Sequence, residues 1–132
     1  MHLRMELFVE DMDRAIAFYR DVLGFVLLRR DDGYASIRRG DVVIGLGPIA
    51  KLPEVGGYFT RRNLRADRGR GVEIVLEVTN LQAEYDRIRA TGWPLLDPLS
   101  ERPWGLADFR LSDPDGYYLR ITSLPAGNAT AR

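Results

Sequence analysis

Phe8-Val9-Glu10-Asp11-Met12, running into Arg14-Ala15-Ile16-Ala17-Phe18-Tyr19-Arg20 and stopping at Leu23-Gly24-Phe25, has a second version further along the chain. There Glu77-Val78-Thr79-Asn80-Leu81 runs into Ala83-Glu84-Tyr85-Asp86-Arg87-Ile88-Arg89 and stops at Thr91-Gly92-Trp93, beginning 69 residues later (77 against 8). Each version reads as strand, cap, helix and stop. Asp11 and Asn80 carry side-chain oxygens that accept the orphan amides of a first helical turn, and Gly24 and Gly92 suit the left-handed position that ends a helix. Met12, Ala15, Ile16, Tyr19, Val22 and Leu23 recur at helical spacing, as do Leu81, Tyr85 and Ile88 more sparsely, so each helix has a face to bury against a sheet.

After each helix come β-like runs separated by turn residues: Phe25 to Arg30, Tyr34 to Arg38 and Asp41 to Leu46, then Pro94 to Asp97, Leu106 to Leu111 and Tyr117 to Thr122. The unit is βαβββ, used twice, in an α+β chain. Module 1 spans about residues 1–48, a connecting loop 49–70, module 2 71–123 and a tail 124–132, the whole forming one domain. The stretch from Pro125 to Arg132 reads as a disordered end. With 132 residues and 45% hydrophobic content there is material for one core.

Composition narrows the function classes. Nineteen basic and nineteen acidic side chains cancel, so neither nucleic acid nor an anionic membrane is expected as a partner. No apolar run approaches the roughly 18 residues of a spanning helix, and Met1-His2-Leu3-Arg4-Met5-Glu6 lacks the apolar segment of a secretion signal, which predicts a cytoplasmic protein. With no cysteine there is no disulfide framework, thiolate nucleophile or sulfur-ligated zinc.

Strand parity separates two sheet faces. Met5, Leu7 and Val9 oppose Arg4, Glu6 and Phe8. Likewise Ile74, Leu76 and Val78 oppose Glu73, Val75 and Glu77; Leu119 and Ile121 oppose Tyr118, Arg120 and Thr122; Val42, Ile44 and Leu46 oppose Val43, Gly45 and Gly47. One face is apolar and belongs under the helices. The other mixes charge, aromatics and glycine, and unpaired buried charge costs too much for it to be a sealed core. It is either solvent-facing or a polar cavity.

Tandem βαβββ units carrying Asp11-Met12-Asp13-Arg14-Ala15-Ile16-Ala17-Phe18-Tyr19 and Asp113-Pro114-Asp115-Gly116-Tyr117-Tyr118-Leu119-Arg120 resemble the glyoxalase, bleomycin-resistance and extradiol dioxygenase superfamily, the vicinal oxygen chelate proteins. The resemblance covers nearly the whole chain. It implies a half-open eight-stranded cup with one helix per module outside, usually completed in a homodimer. Metal-dependent members place His or Glu at one inward position on the first, fourth, fifth and eighth strands. By the resemblance those positions fall on Arg4, Gly45, Glu73 and Arg120, of which three cannot hold a divalent ion. No metal or other cofactor is therefore expected. His2, the only histidine, lies two residues before one such position but reads as a frayed terminus.

No Cys–His couple or Ser–His–Asp arrangement is available. The expected function is that of a metal-free small-molecule binder, sequestering an aromatic or peptide-like antibiotic for drug resistance or self-protection. The alternative is a metal-independent lyase, isomerase or hydrolase of the same fold, with Glu6 or Glu73 as base and Arg4 or Arg120 stabilising an oxyanion; Glu77 is a further candidate base. Ion pairing of these acids with Arg4 and Arg120 would make them poor bases. A divergent metal-dependent glyoxalase or dioxygenase is less favoured.

A small-molecule site needs flat apolar surface and a few directed polar groups. The candidates are Arg4, Glu6, Phe8, Tyr58, Phe59, Glu73, Trp104, Asp108, Arg110, Tyr118 and Arg120. Trp104, in the loop Arg102-Pro103-Trp104-Gly105, sits where no core needs an indole and resembles a tryptophan-glycine segment of bleomycin-resistance proteins; the alternative is that it plugs the open end of the sheet as a large buried anchor. Trp93, Phe109 and Tyr117 are further aromatic candidates, but Phe109 is either one of these or, by its parity with Leu111, turned toward a helix, and Trp93 reads as core. The connection from Ile49 to Gly71 holds Gly56-Gly57-Tyr58-Phe59 followed by Arg61, Arg62, Arg65, Arg68 and Arg70. It is either a hinged flap carrying two aromatics or a solvated charge run.

Overall fold

The computed structural model describes residues 1–65 and 68–125. The readings of the tail beyond Pro125, and of Ala66 and Asp67 within the loop, lie outside the described residues. The chain divides into two compact units, Met1–Arg68 and Gly69–Arg132.

In the first unit β1 (Met5–Val9) is followed by α1 (Met12–Ala17), which continues into a π-helical turn over Phe18–Val22. Three strands follow, β2 (Val26–Asp31), β3 (Tyr34–Arg39) and β4 (Val42–Pro48), then a 3₁₀ turn over Ile49–Lys51. The sheet order is β1-β4-β3-β2, with β1 and β4 parallel and the other pairs antiparallel. The second unit repeats this plan with β5 (Ile74–Val78), α2 (Leu81–Ala90), β6 (Asp97–Glu101), β7 (Ala107–Ser112) and β8 (Tyr118–Ser123), in the order β5-β8-β7-β6. The tandem βαβββ architecture and the α+β class are as the sequence predicts. Among the described residues no helix is long and apolar enough to cross a membrane.

The caps form as their residue types dictate. Asp11 Oδ1 accepts from the Arg14 amide at 3.1 Å and Asn80 Oδ1 from the Ala83 amide at 3.0 Å. Gly24 and Gly92 take φ of 73° and 79°, in the left-handed region where a Cβ is penalised.

Beneath the helices the apolar parity face closes. Leu7, Val9, Ala35, Ile37, Ile44 and Leu46 are buried in the first unit; Ile74, Leu111, Leu119 and Ile121 in the second. Tyr19 is fully buried and meets Phe18 and Phe25 edge-on, with ring centroids 5.0 and 5.6 Å away. Burial of a side chain this size contributes about 2–3 kcal/mol. Phe109 is fully buried against Tyr85 of α2, 5.2 Å between centroids, so of its two readings the structure takes the helix side and removes it from the aromatic candidates.

Several expectations need correction. The first β-like run begins at Val26, because Phe25 is buried against the helix end, its amide bonded to the Tyr19 carbonyl at 2.8 Å. Val42, assigned to the buried face, is 37% exposed at the start of β4. β6 covers Asp97–Glu101 rather than Pro94 to Asp97. Pro94 has no amide to give a ladder, and pairing begins when the Leu96 amide reaches the Arg110 carbonyl at 2.8 Å, with a register shift between Asp97 and Ser100. Trp93 is half-buried rather than core, its indole N–H donating to the Ser112 carbonyl at 2.9 Å.

Candidate functional site

The two parallel strand pairs have the same register. Met5 faces Ile44 and Ile74 faces Leu119, offsets of 69 (74 − 5) and 75 (119 − 44), so Gly45 is the counterpart of Arg120 (120 − 45 = 75). Glu6 is opposite Gly45, and Val75 opposite Arg120.

On the polar face of the first sheet, the missing side chain at Gly45 makes room for Glu6. A Cβ at Gly45 would overlap the Glu6 carboxylate and the Tyr34 hydroxyl. Glu6 Oε1 accepts from the Tyr34 hydroxyl at 3.2 Å and pairs with Arg4 Nε at 3.0 Å. The guanidinium of Arg29 lies over the Tyr34 ring, 5.1 Å from its centroid. Burial, and then the neighbouring Glu6 carboxylate, push the Tyr34 phenol above its ordinary range.

Further along β1, Phe8 meets Phe59 with ring centroids 4.6 Å apart, and Phe59 meets Tyr58 edge-on at 5.0 Å. Tyr58 is 87% exposed and Phe59 47%. From the loop, Phe59 thus packs on Phe8, and Tyr58 packs on Phe59. The loop's arginines are not simply a solvated run. Arg61 and Arg65 both clamp Glu54, at 3.0 and 2.6 Å, and Arg61 also donates to the Leu52 carbonyl at 2.7 Å. Arg68 is folded in, bonded to the Leu64 carbonyl at 2.6 Å and to Glu10 at 3.3 Å.

The polar face of the second sheet centres on Asp108, which is fully buried. Its Oδ1 accepts from Arg102 Nε at 2.8 Å and Arg110 Nε at 3.3 Å. Arg102 also binds Asp97 at 2.9 Å, and Arg110 donates to the Tyr118 hydroxyl at 3.1 Å. Arg120 donates through Nε to Glu73 Oε1 at 3.0 Å, while its Nη1 is 3.7 Å from Asp108 Oδ2. Burial opposes ionisation of Asp108, yet the hydrogen bonds from Arg110 and Arg102 outweigh it and hold the carboxyl below its ordinary range. The same bonds raise Arg102 and Arg110, fixing both as cations. Trp104 sits at the tip of the β6–β7 hairpin, 58% exposed, where the Gly105 amide bonds the Arg102 carbonyl at 3.0 Å.

Of the sequence candidates, Arg4, Glu6, Phe8, Tyr58 and Phe59 thus lie in the first unit, and Glu73, Asp108, Arg110, Tyr118 and Arg120 gather in the second. Trp104 is also in the second unit, exposed at its hairpin tip, and the ion pairs of Glu6 and Glu73 each form within one unit. Tyr34, Arg102 and Asp97 were missed. Parity along β3 would have put Tyr34 on the polar face; Arg102 and Asp97 depend on a bulged strand that parity misregisters.

The family's metal site does not fit these residues. Arg4, Gly45 and Arg120 offer no donor suited to a divalent ion, and the one acid, Glu73, is paired with Arg120. Among the described residues no group of three or more His, Cys, Asp or Glu side chains gathers as a metal site would require.

The fold is widely shared among solved structures. A glyoxalase/bleomycin resistance protein/dioxygenase from Nocardioides superposes with a TM-score of 0.78 at 22% identity, covering 96% of this chain and 85% of that one. TioX from Micromonospora sp. ML1 gives 0.74 at 23% identity, covering 93% and 98%. A bleomycin-binding protein complexed with bleomycin gives 0.67 at 23% identity, covering 95% and 99%. None of the curated proteins matches the sequence. The family model described as the Glyoxalase/Bleomycin resistance protein/Dioxygenase superfamily matches residues 2–121, and with that span, nearly the full chain, the protein belongs to this superfamily.

Proposed function

We propose that this chain is a metal-independent binding protein that sequesters an aromatic or peptide-like natural product in the cytoplasm, acting as a homodimer. The observation that carries the reading is the chemistry of the four ligand positions: two guanidiniums, a glycine whose space Glu6 fills, and an acid already paired with Arg120. Such a set leaves no Lewis acid to drive a reaction and supplies directed hydrogen-bond donors and acceptors instead.

Exposed aromatics complete what a binder needs. In the first unit Tyr58 and Phe59 are exposed beside the half-buried Phe8, and in the second Trp104 is exposed, each a flat apolar surface. Arg4 and Glu6 in the first unit, and Glu73, Arg110, Tyr118 and Arg120 in the second, supply polarity, with the buried Asp108 holding Arg110 in place. A structural neighbour that binds bleomycin lends support at the level of the fold, and sequestration asks only for tight retention, since a micromolar dissociation constant corresponds to about 8 kcal/mol.

The test is equilibrium titration with bleomycin and a set of polycyclic aromatic antibiotics, followed by chromatography of the recovered compound. Saturable binding with the compound returned intact is expected. Conversion to a product would replace this reading with that of a metal-free enzyme, and failure of every compound to bind would refute it.

A further inference from the structure

Glu73, Arg120 and Asp108 make an ion-pair arrangement with one bond too few. Asp108 Oδ1 takes both nearby guanidinium bonds, whereas Oδ2 is buried and has no hydrogen-bond partner. A buried acceptor without a donor costs the equivalent of about tenfold or more in an equilibrium constant. The nearest cation is Arg120 Nη1 at 3.7 Å, about 0.8 Å beyond a good hydrogen bond. Arg120 is bonded instead, through Nε, to Glu73 at 3.0 Å, and the Glu73 side chain is 41% exposed.

We infer that Glu73 is the ligand-contacting carboxylate for a cationic group, an ammonium or amidinium on a planar aromatic ligand, and that Arg120 moves from Glu73 to Asp108 when that group binds. The inference rests on the binding reading above and specifies its ligand chemistry. Opening a partly exposed Arg–Glu pair costs little, and the released guanidinium satisfies Asp108 Oδ2. Glu73 is then free to accept the ligand's cation in a charge-assisted bond. An anionic ligand would do the opposite: by taking Arg120 it would leave Glu73 unpaired and Oδ2 still without a donor, and would set a third negative charge beside two carboxylates. Repulsion from Arg102 and Arg110 is limited because Arg102 is shared between Asp97 and Asp108 and Arg110 is bound to Asp108.

The test uses three planar probes, protonated aminoacridine, neutral acridine and anthracene carboxylate, titrated by fluorescence anisotropy into the full chain. Aminoacridine is expected to bind about tenfold more tightly than acridine, with the carboxylate weakest. Glu73→Gln, a substitution at an exposed site, should reduce aminoacridine to the level of acridine. In the unsubstituted protein the Arg120 Nε–H resonance should shift when aminoacridine is added, a readout that a merely structural arginine would not give. Equal or tighter binding of the carboxylate, an undiminished cation preference in Glu73→Gln, or an unmoved Arg120 signal overturns the inference and leaves the binding reading intact. Failure of all three probes to bind also overturns it, and the binding reading then stands or falls on the natural-product titrations.

Discussion

Replacing Asp108 with Asn keeps the side chain's shape and removes its charge, which makes it a direct measure of how far the second module depends on its polar face. Asp108 is fully buried, with guanidinium nitrogens at 2.8, 3.3 and 3.7 Å. Removing one partner of a buried ion pair costs about 3–5 kcal/mol, because the remaining charge is left desolvated. The lower end applies here: Arg102 and Arg110 keep 16% and 22% of their side chains exposed and retain Asp97 and Tyr118 as partners. A loss of roughly 3 kcal/mol is expected at neutral pH, or about 10 °C in melting temperature for a chain this size. Since the folded-state carboxyl lies below its ordinary value, the unfolded chain binds the proton more readily. The stabilisation is therefore fully present above the unfolded value near ~3.9 and is lost as pH falls through the folded one. The difference between the two proteins in urea denaturation should be constant from neutral pH to about 5 and shrink below about 4. A difference under about 1 kcal/mol at neutral pH, or one that grows with acidification, would refute this account of the network.

Other substitutions separate scaffold from site. Phe109→Ala, which empties a fully buried position against Tyr85, should cost about 3–5 kcal/mol in chemical denaturation; Trp104→Ala, at an exposed hairpin tip, should stay within about 0.5 kcal/mol of the parent while weakening retention of an aromatic ligand. Asp11→Ala and Asn80→Ala should each lose about 1 kcal/mol through the uncapped helix amide, seen as earlier thermal unfolding by circular dichroism. Glu54→Gln releases Arg61 and Arg65; limited proteolysis should cut the 50–65 segment faster, with global stability changed by less than about 1 kcal/mol.

Much of the fold was legible because its signals are local. Asp11, Asn80, Gly24 and Gly92 mark helix ends by chemistry that needs only the neighbouring amides, and period-two alternation on β1, β4, β5 and β8 assigns faces that the burial of Leu7, Ile44, Ile74 and Leu119 reproduces. Where a bulge or a proline intervenes, alternation loses count, which is why β6 was placed three residues early and Arg102 and Asp97 went unnoticed. The π-helical turn at Phe18–Val22 has no signal in the apolar spacing. The vacancy at Gly45 was visible as a residue type, but that Glu6 and Tyr34 would fill it is a matter of side-chain reach across three strands. Likewise, Asp108 could be placed on the polar face, but not its burial beneath three arginines, since that depends on which rotamers pack together.

The chain is proposed to retain a small molecule without a metal and without changing it. Native mass spectrometry of the purified protein, alone and mixed with bleomycin and polycyclic aromatic antibiotics, reads all of this in one spectrum. A metal-free dimer that carries up to one ligand of unchanged mass per chain is expected. A stoichiometric bound metal, or a ligand altered in mass, would contradict it.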